Sequence, residues 1–147
     1  MAIFDRSWYR NLLDVEIANQ LNEADLKKAY SDVRAFERQL RDGGTVILKF
    51  FLEISKKEQA ARLAVLQENP ATAWRVSDAV LQRHSRYNDY VKAVAKMFRE
   101  TDLADESPWH KISSESAKVA TSLVLRHLVD ALTARVKERK KGICVQA

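Results

Sequence analysis

Asp5 and Arg6 follow the apolar stub Ala2-Ile3-Phe4 and precede Ser7, Trp8 and Tyr9. A carboxylate beside a guanidinium directly after such a stub suits the carboxyl edge of a sheet, where α/β proteins bind ligands. In nucleotide kinases an aspartate there holds the magnesium that bridges phosphates, and an adjacent arginine contacts a phosphoryl oxygen. The competing reading is an Asp that caps a turn, with Trp8 and Tyr9 in the core. A second group, Arg75, Arg83 and Arg86 with Lys92 and Lys96 beyond, could close over a polyanion and neutralise developing charge; a solvated helix face explains it equally simply. Trp74, Tyr87 and Tyr90 could stack a base, although their helical spacing also suits a core face. Lys49 interrupts an otherwise apolar run. An ammonium buried there needs either the sheet edge or a carboxylate such as Glu37.

Other chemistries find little support. His84, His110 and His127 lie far apart in sequence and none has metal-ligand spacing with a Cys or another His. Cys144 is the single cysteine. It cannot pair within the chain, which makes the cytoplasm the expected compartment, and it lacks an obvious base to activate it as a nucleophile. Cys144-Val145-Gln146-Ala147 only loosely mimics a prenylation box, because Gln146 is not aliphatic. The three glycines, Gly43, Gly44 and Gly142, cannot form a GxxxxGK[ST] phosphate loop. No apolar run approaches the ~20 residues of a membrane span, and Asp5 and Arg6 break the N-terminal apolar stretch too early for a secretory leader. The formal net charge of +5 points mildly toward an anionic partner. No nucleic-acid recognition motif accompanies it, so neither nucleic acid nor membrane is the expected partner.

The elements that must position these residues follow from periodicity. Ala2 to Phe4 could be the end of a strand. A short helix is expected over Arg10 to Gln20. Asn22, with Asp25 three residues on, caps a second, whose Leu26, Ala29, Tyr30, Val33, Phe36, Glu37 and Leu40 fall at 3-4 spacing. Asp42-Gly43-Gly44 stops it. Thr45 to Leu52 reads as a strand buried on both faces. Ser55 with Glu58 makes a capping box for a helix to about Glu68. Ser77 caps a long helix to about Arg99. An acidic loop runs from Thr101 to Pro108, a brief strand from Trp109 to Ser113, and a last helix from Ser114 to about Glu138. Three strands alternating with helices predict an α/β fold with a parallel sheet. One partial domain is expected over residues 1–141, with a mobile helical lid at about 70–100 and a tail at 142–147.

Taken together, these segments resemble the class II polyphosphate kinase family. Phe4-Asp5-Arg6-Ser7-Trp8-Tyr9 is similar to its FDRSWY signature. Phe36 to Leu40 and Leu48 to Gln59 resemble its FE..L and LKFWLHISKEEQ blocks, and Arg62 falls where that block carries an Arg. Trp74-Arg75-Val76-Ser77, Arg86-Tyr87-Asn88-Asp89-Tyr90 and Pro108-Trp109 resemble its WK.S, RWDDY and PW segments. The likeness runs in order from Phe4 to about Leu132.

The resemblance implies a P-loop fold similar to nucleoside monophosphate kinases, with the first strand and phosphate loop absent from these residues. It implies phosphoryl transfer between inorganic polyphosphate and a nucleotide, AMP or ADP/GDP, with Mg2+. Carried over by position, Asp5 would organise the magnesium through phosphate and water, and Arg6 would contact a phosphate. Arg75 and Arg86 would lie on the lid, and Lys49 and Arg62 at family positions that bind polyphosphate or nucleotide. Departures weaken the match. Arg10-Asn11 replaces Asn-Arg, Val80 stands for an Asp, His84 for an Arg, Ala117 for a Lys and Thr121 for an Arg. Nothing precedes FDRSWY, so the chain is expected to be a C-terminal portion or an eroded domain, catalysing poorly alone. The alternative is a non-catalytic dimerisation or regulatory half-domain. Either way, a homo-oligomer or a partner domain is expected over the open sheet edge.

Overall fold

A computed structural model describes residues 1–103 and 107–144, with side chains to residue 138. The acidic loop's 104–106 and the tail's 145–147 lie outside the described residues. Helices α1 (Tyr9–Ile17) and α2 (Glu23–Asp42) form an antiparallel hairpin. The α2 start follows from Asn22, whose side chain accepts from the Asp25 amide at 2.9 Å. Strand β1 (Lys49–Glu53) leads into α3 (Lys56–Glu68), capped by Ser55 through the Glu58 amide at 3.2 Å. A 3-10 turn, Ala73–Arg75, precedes α4 (Asp78–Ser85) and α5 (Tyr87–Thr101). Strand β2 (Trp109–Ser113) and α6 (Ala117–Cys144) complete the order.

The two strands pair in parallel, from Lys49 opposite Trp109 to Glu53 opposite Ser113. Alternation sends Lys49, Phe51, Trp109 and Lys111 to one face and Phe50, Leu52, His110 and Ile112 to the other. The first face meets α1, α2 and α5 in a core of Tyr9, Leu26, Tyr30, Met97 and Phe98, packed by Phe51 and Trp109. The second face meets α6, where Ile112 and Ala120 are buried.

Four expectations need correction. Ala2 to Phe4 forms no strand, and Ile3 and Phe4 are 85% and 66% exposed. The sheet among the described residues therefore has two strands, not three. Thr45 to Leu48 likewise stay outside β1, because a strand exists only where a ladder partner stands opposite and β2 supplies five residues. The expected long helix from Ser77 is interrupted at Arg86, whose backbone (φ −90°, ψ 18°) leaves the helical path. The Arg86 guanidinium reaches the Ile17 carbonyl at 2.7 Å, and the Ser85 hydroxyl donates back to Gln82. The final helix also runs on to Cys144, past Glu138.

The histidines that are distant in sequence are not all distant in space. His110 on β2 and His127 on α6 stack with ring centroids 4.1 Å apart, beside Phe50. Burial and then His127 hold the His110 pKa below the ordinary histidine value, with Asp102 pulling the other way. Below about pH 6.5 the unfolded chain thus binds more protons than the folded one, and the contribution to stability is lost as pH falls. The melting temperature should be lower at pH 5.5 than at pH 7.5, and His110→Gln should shrink that gap. An unchanged gap in a fluorimetric melt would count against this coupling.

Candidate functional site

The Asp5-Arg6 segment enters α1 through an unusual turn. Arg6 (φ 63°) and Ser7 (φ 40°) both adopt the left-handed region, which side chains with a Cβ seldom occupy. The turn closes through the Arg10 amide to the Arg6 carbonyl at 3.1 Å. The two charged side chains point outward, with 94% of Asp5 and 56% of Arg6 exposed, and approach each other at 4.0 Å.

Behind this turn lies a buried polar network. The Tyr9 hydroxyl donates to Glu37 Oε1 at 2.6 Å, and Lys49 Nζ donates to Glu37 Oε2 at 3.0 Å and to the Thr101 carbonyl at 2.8 Å. Trp109 Nε1 donates to Thr101 Oγ1, and Lys49 also sits over the Trp109 ring. Glu37 and Lys49 side chains are 0% and 4% exposed. Burial, then the Glu37 carboxylate, pushes the Tyr9 phenol far above its usual range, so Tyr9 stays a donor. Of the two sequence readings of Lys49, the geometry matches pairing with Glu37: its ammonium is engaged inside the protein and does not reach the surface.

Of the remaining candidates, Arg86 and Tyr90 meet the other end of α1. Arg86 binds the Ile17 carbonyl and, at 3.2 Å, Asp89. Tyr90 donates to Asp14, and Tyr87 to the Ile54 carbonyl. Those two aromatics are therefore half-buried structural groups, whereas Trp74 is 75% exposed with Arg75 lying over its ring. Arg62 Nη2 caps the Ser114 and Glu115 carbonyls and Nε holds Glu58 at 2.7 Å, tying α3 to the end of β2. His84, where an Arg was expected, bonds Gln59 at 2.7 Å.

A cleft of about 320 Å³ opens at the carboxyl ends of both strands, lined by Glu53, Ile54, Ser55, Tyr87, Ser113 and Glu115. This is where open α/β sheets receive ligands. Asp5 and Arg6 are not there. Tyr9 anchors their turn beside Lys49 and Trp109, the first residues of the strands. The nine residues of α1, roughly 13 Å, separate that turn from Arg86.

The segments that bear this arrangement have known counterparts. The profile of polyphosphate kinase 2 (PPK2) matches residues 1–140. The chain belongs to the polyphosphate kinase 2 family. A polyphosphate:AMP phosphotransferase of Acinetobacter johnsonii is 34% identical over 134 residues, covering 91% of this chain and 28% of that protein. An AMP/ADP-polyphosphate phosphotransferase of Meiothermus ruber is 36% identical over 132 residues, covering 90% of this chain and 49% of that protein. The crystal structure of polyphosphate kinase 2 from Arthrobacter aurescens TC1 superposes with a TM-score of 0.85 at 32% identity, over 89% of this chain and 46% of that one. The α/β architecture is thus that of the family, and the chain spans less than half the length of these relatives.

Sequence reasoning anticipated the Glu37–Lys49 pair but missed Tyr9 as its third member and the His110–His127 stack. The apolar setting of Lys49 was a signal for the first. No spacing rule links a strand histidine to one on the following helix.

Proposed function

We propose that this chain serves polyphosphate-dependent nucleotide phosphotransfer, contributing the Asp5-Arg6 turn and the helical lid. The observation that carries this is the family match over residues 1–140 together with a left-handed, firmly anchored turn at Asp5-Arg6. The relatives' names point to inorganic polyphosphate and to AMP or ADP as the substrates. A P-loop kinase-like sheet in the complete domain is part of the same reading.

Magnesium fits the residues present in a limited way. Among the described residues no cluster of three His, Cys, Asp or Glu could hold a metal. Mg2+ commonly keeps its waters and binds one or two carboxylates plus substrate phosphates. The exposed Asp5 carboxylate would be that single protein ligand, directly or through water. When bound with the phosphates, the ion supplies charge neutralisation. Arg6 would contact a phosphoryl oxygen beside it.

The lid is assigned to the part of residues 70–100 that is loosely packed. Residues through Arg86 have no buried side chain on α3, the 3-10 turn or α4, whereas Ala93, Met97 and Phe98 of α5 are core. Arg75 is exposed and available to a polyanion. Arg86, at the α4–α5 break, would pivot the closure, and Arg62 would fix the base of α3. Lys49 acts from behind the site. A second copy or partner domain would cover the open sheet edges and the exposed Leu125, Val129, Leu132 and Val136 of α6, each more than half exposed. No described helix is long and apolar enough to cross a membrane; the single cysteine supports a cytoplasmic setting.

The test is product formation from polyphosphate with AMP or ADP and Mg2+, followed by nucleotide chromatography. These 147 residues contain no glycine-rich phosphate loop, so transfer should be polyphosphate-dependent but far below the ~1–100 s⁻¹ typical of kinases. No polyphosphate-dependent product would overturn the transfer reading and favour the dimerisation or regulatory role.

A further inference from the structure

We infer that Tyr9, Glu37 and Lys49 form a buried positioning relay that sets the direction of the Asp5-Arg6 turn. The inference rests on the phosphotransfer reading for its purpose, but its geometry stands alone.

Two successive left-handed residues without glycine persist only where the surroundings over-determine them. The Asp5 and Arg6 side chains do not supply that support, since they are exposed and among the described residues pair with each other at 4.0 Å. The support comes from two adjacent residues of α2. Phe36 meets the Trp8 ring edge-on at 5.1 Å, and Trp8 in turn meets Phe4 at 5.7 Å. Glu37 takes the Tyr9 hydroxyl at 2.6 Å. The strained pair Arg6-Ser7 is thus gripped by the two residues that follow it, Trp8 and Tyr9, with Phe4 folded back onto Trp8.

Glu37 is itself fixed. Lys49 holds its second oxygen and is held by the Thr101 carbonyl at the end of α5. Each link is directional. A buried ion pair gains little stability over apolar residues of the same shape, so orientation is the better account of a charged pair at a site with 0% and 4% exposure. Removing the Tyr9 hydroxyl would leave the ring in its packing against Trp109 at 4.7 Å while cutting the only link in the relay that reaches the turn.

The experiment compares the 147-residue chain with Tyr9→Phe, Arg6→Ala and Leu26→Ala, the last a core change outside the relay. Two readouts are used: amide hydrogen exchange at Tyr9 and Arg10, and the affinity for polyphosphate with Mg2+ by calorimetric titration. Tyr9→Phe should speed exchange at these amides about tenfold, the scale of one lost hydrogen bond, with α5 amides unchanged. It should weaken polyphosphate binding by a similar factor, and add nothing in an Arg6→Ala background. Leu26→Ala should raise exchange across the whole core instead. Unchanged exchange at Tyr9 and Arg10 in Tyr9→Phe, or a rise spread over the core as in Leu26→Ala, overturns the relay. If Tyr9→Phe does not fold, the Glu37→Leu, Lys49→Met pair, which removes the acceptor of the Tyr9 hydroxyl without orphaning a buried charge, is read by the same criteria. Failure of the wild-type chain to bind polyphosphate overturns the functional reading, while the exchange data still decide the relay.

Discussion

Glu37→Ala should lower the melting temperature by roughly 6–20 °C. The Glu37 carboxylate is fully buried and joins Tyr9 and Lys49. Its removal leaves an ammonium 4% exposed with no countercharge. Breaking a buried pair from one side costs about 3–5 kcal/mol, and for a chain of this size 1 kcal/mol shifts the midpoint by about 2–4 °C. The loss comes from the orphaned charge, not from the missing attraction. A Glu37→Leu, Lys49→Met double variant should therefore recover much of it. Circular dichroism melts check both. A drop of only 1 or 2 °C in Glu37→Ala, or a double variant as unstable as the single, would show that water or another group satisfies Lys49.

Asp5→Asn should leave the melting temperature unchanged and reduce phosphoryl transfer by about 10²-fold or more. The side chain is 94% exposed and its ion pair among the described residues is with Arg6 at 4.0 Å, so the fold loses little. The substitution keeps the shape but removes the charge that would meet the magnesium–phosphate complex. Loss of one such group aimed at developing charge typically costs about 10²–10³ in rate. The comparison belongs at saturating Mg2+ and polyphosphate, so that binding and chemistry separate. Equal rates for wild type and Asp5→Asn would remove Asp5 from the site.

Two of the three expected caps were legible from local chemistry, whereas Ser77 stands at the N-cap of α4 without a side-chain bond. Asn22 and Ser55 each bond the backbone amide that their spacing indicated. The partner of Lys49 was legible because a charge in an apolar run has few ways to survive. What was not legible depends on distant groups. Whether Thr45 to Leu48 become strand is decided by the length of β2, and whether Ala2 to Phe4 do is decided by a partner on the sheet. The break at Arg86 arises where a carbonyl of α1 captures its guanidinium, 69 residues away in sequence. The candidate site followed the same rule. FDRSWY marked the turn, but its placement beside the strand starts, at the far end of α1 from Arg86, came from Tyr9 finding Glu37 and Trp109.

The most direct measurement is a calorimetric titration of the chain with inorganic polyphosphate, with and without Mg2+, alongside a DNA duplex of equal charge. Saturable polyphosphate binding is expected that depends on Mg2+, weakens in Arg75→Ala and Arg6→Ala, and exceeds binding to the duplex. Absence of polyphosphate binding, or equal, purely salt-sensitive binding of both polyanions, would contradict the phosphotransfer reading.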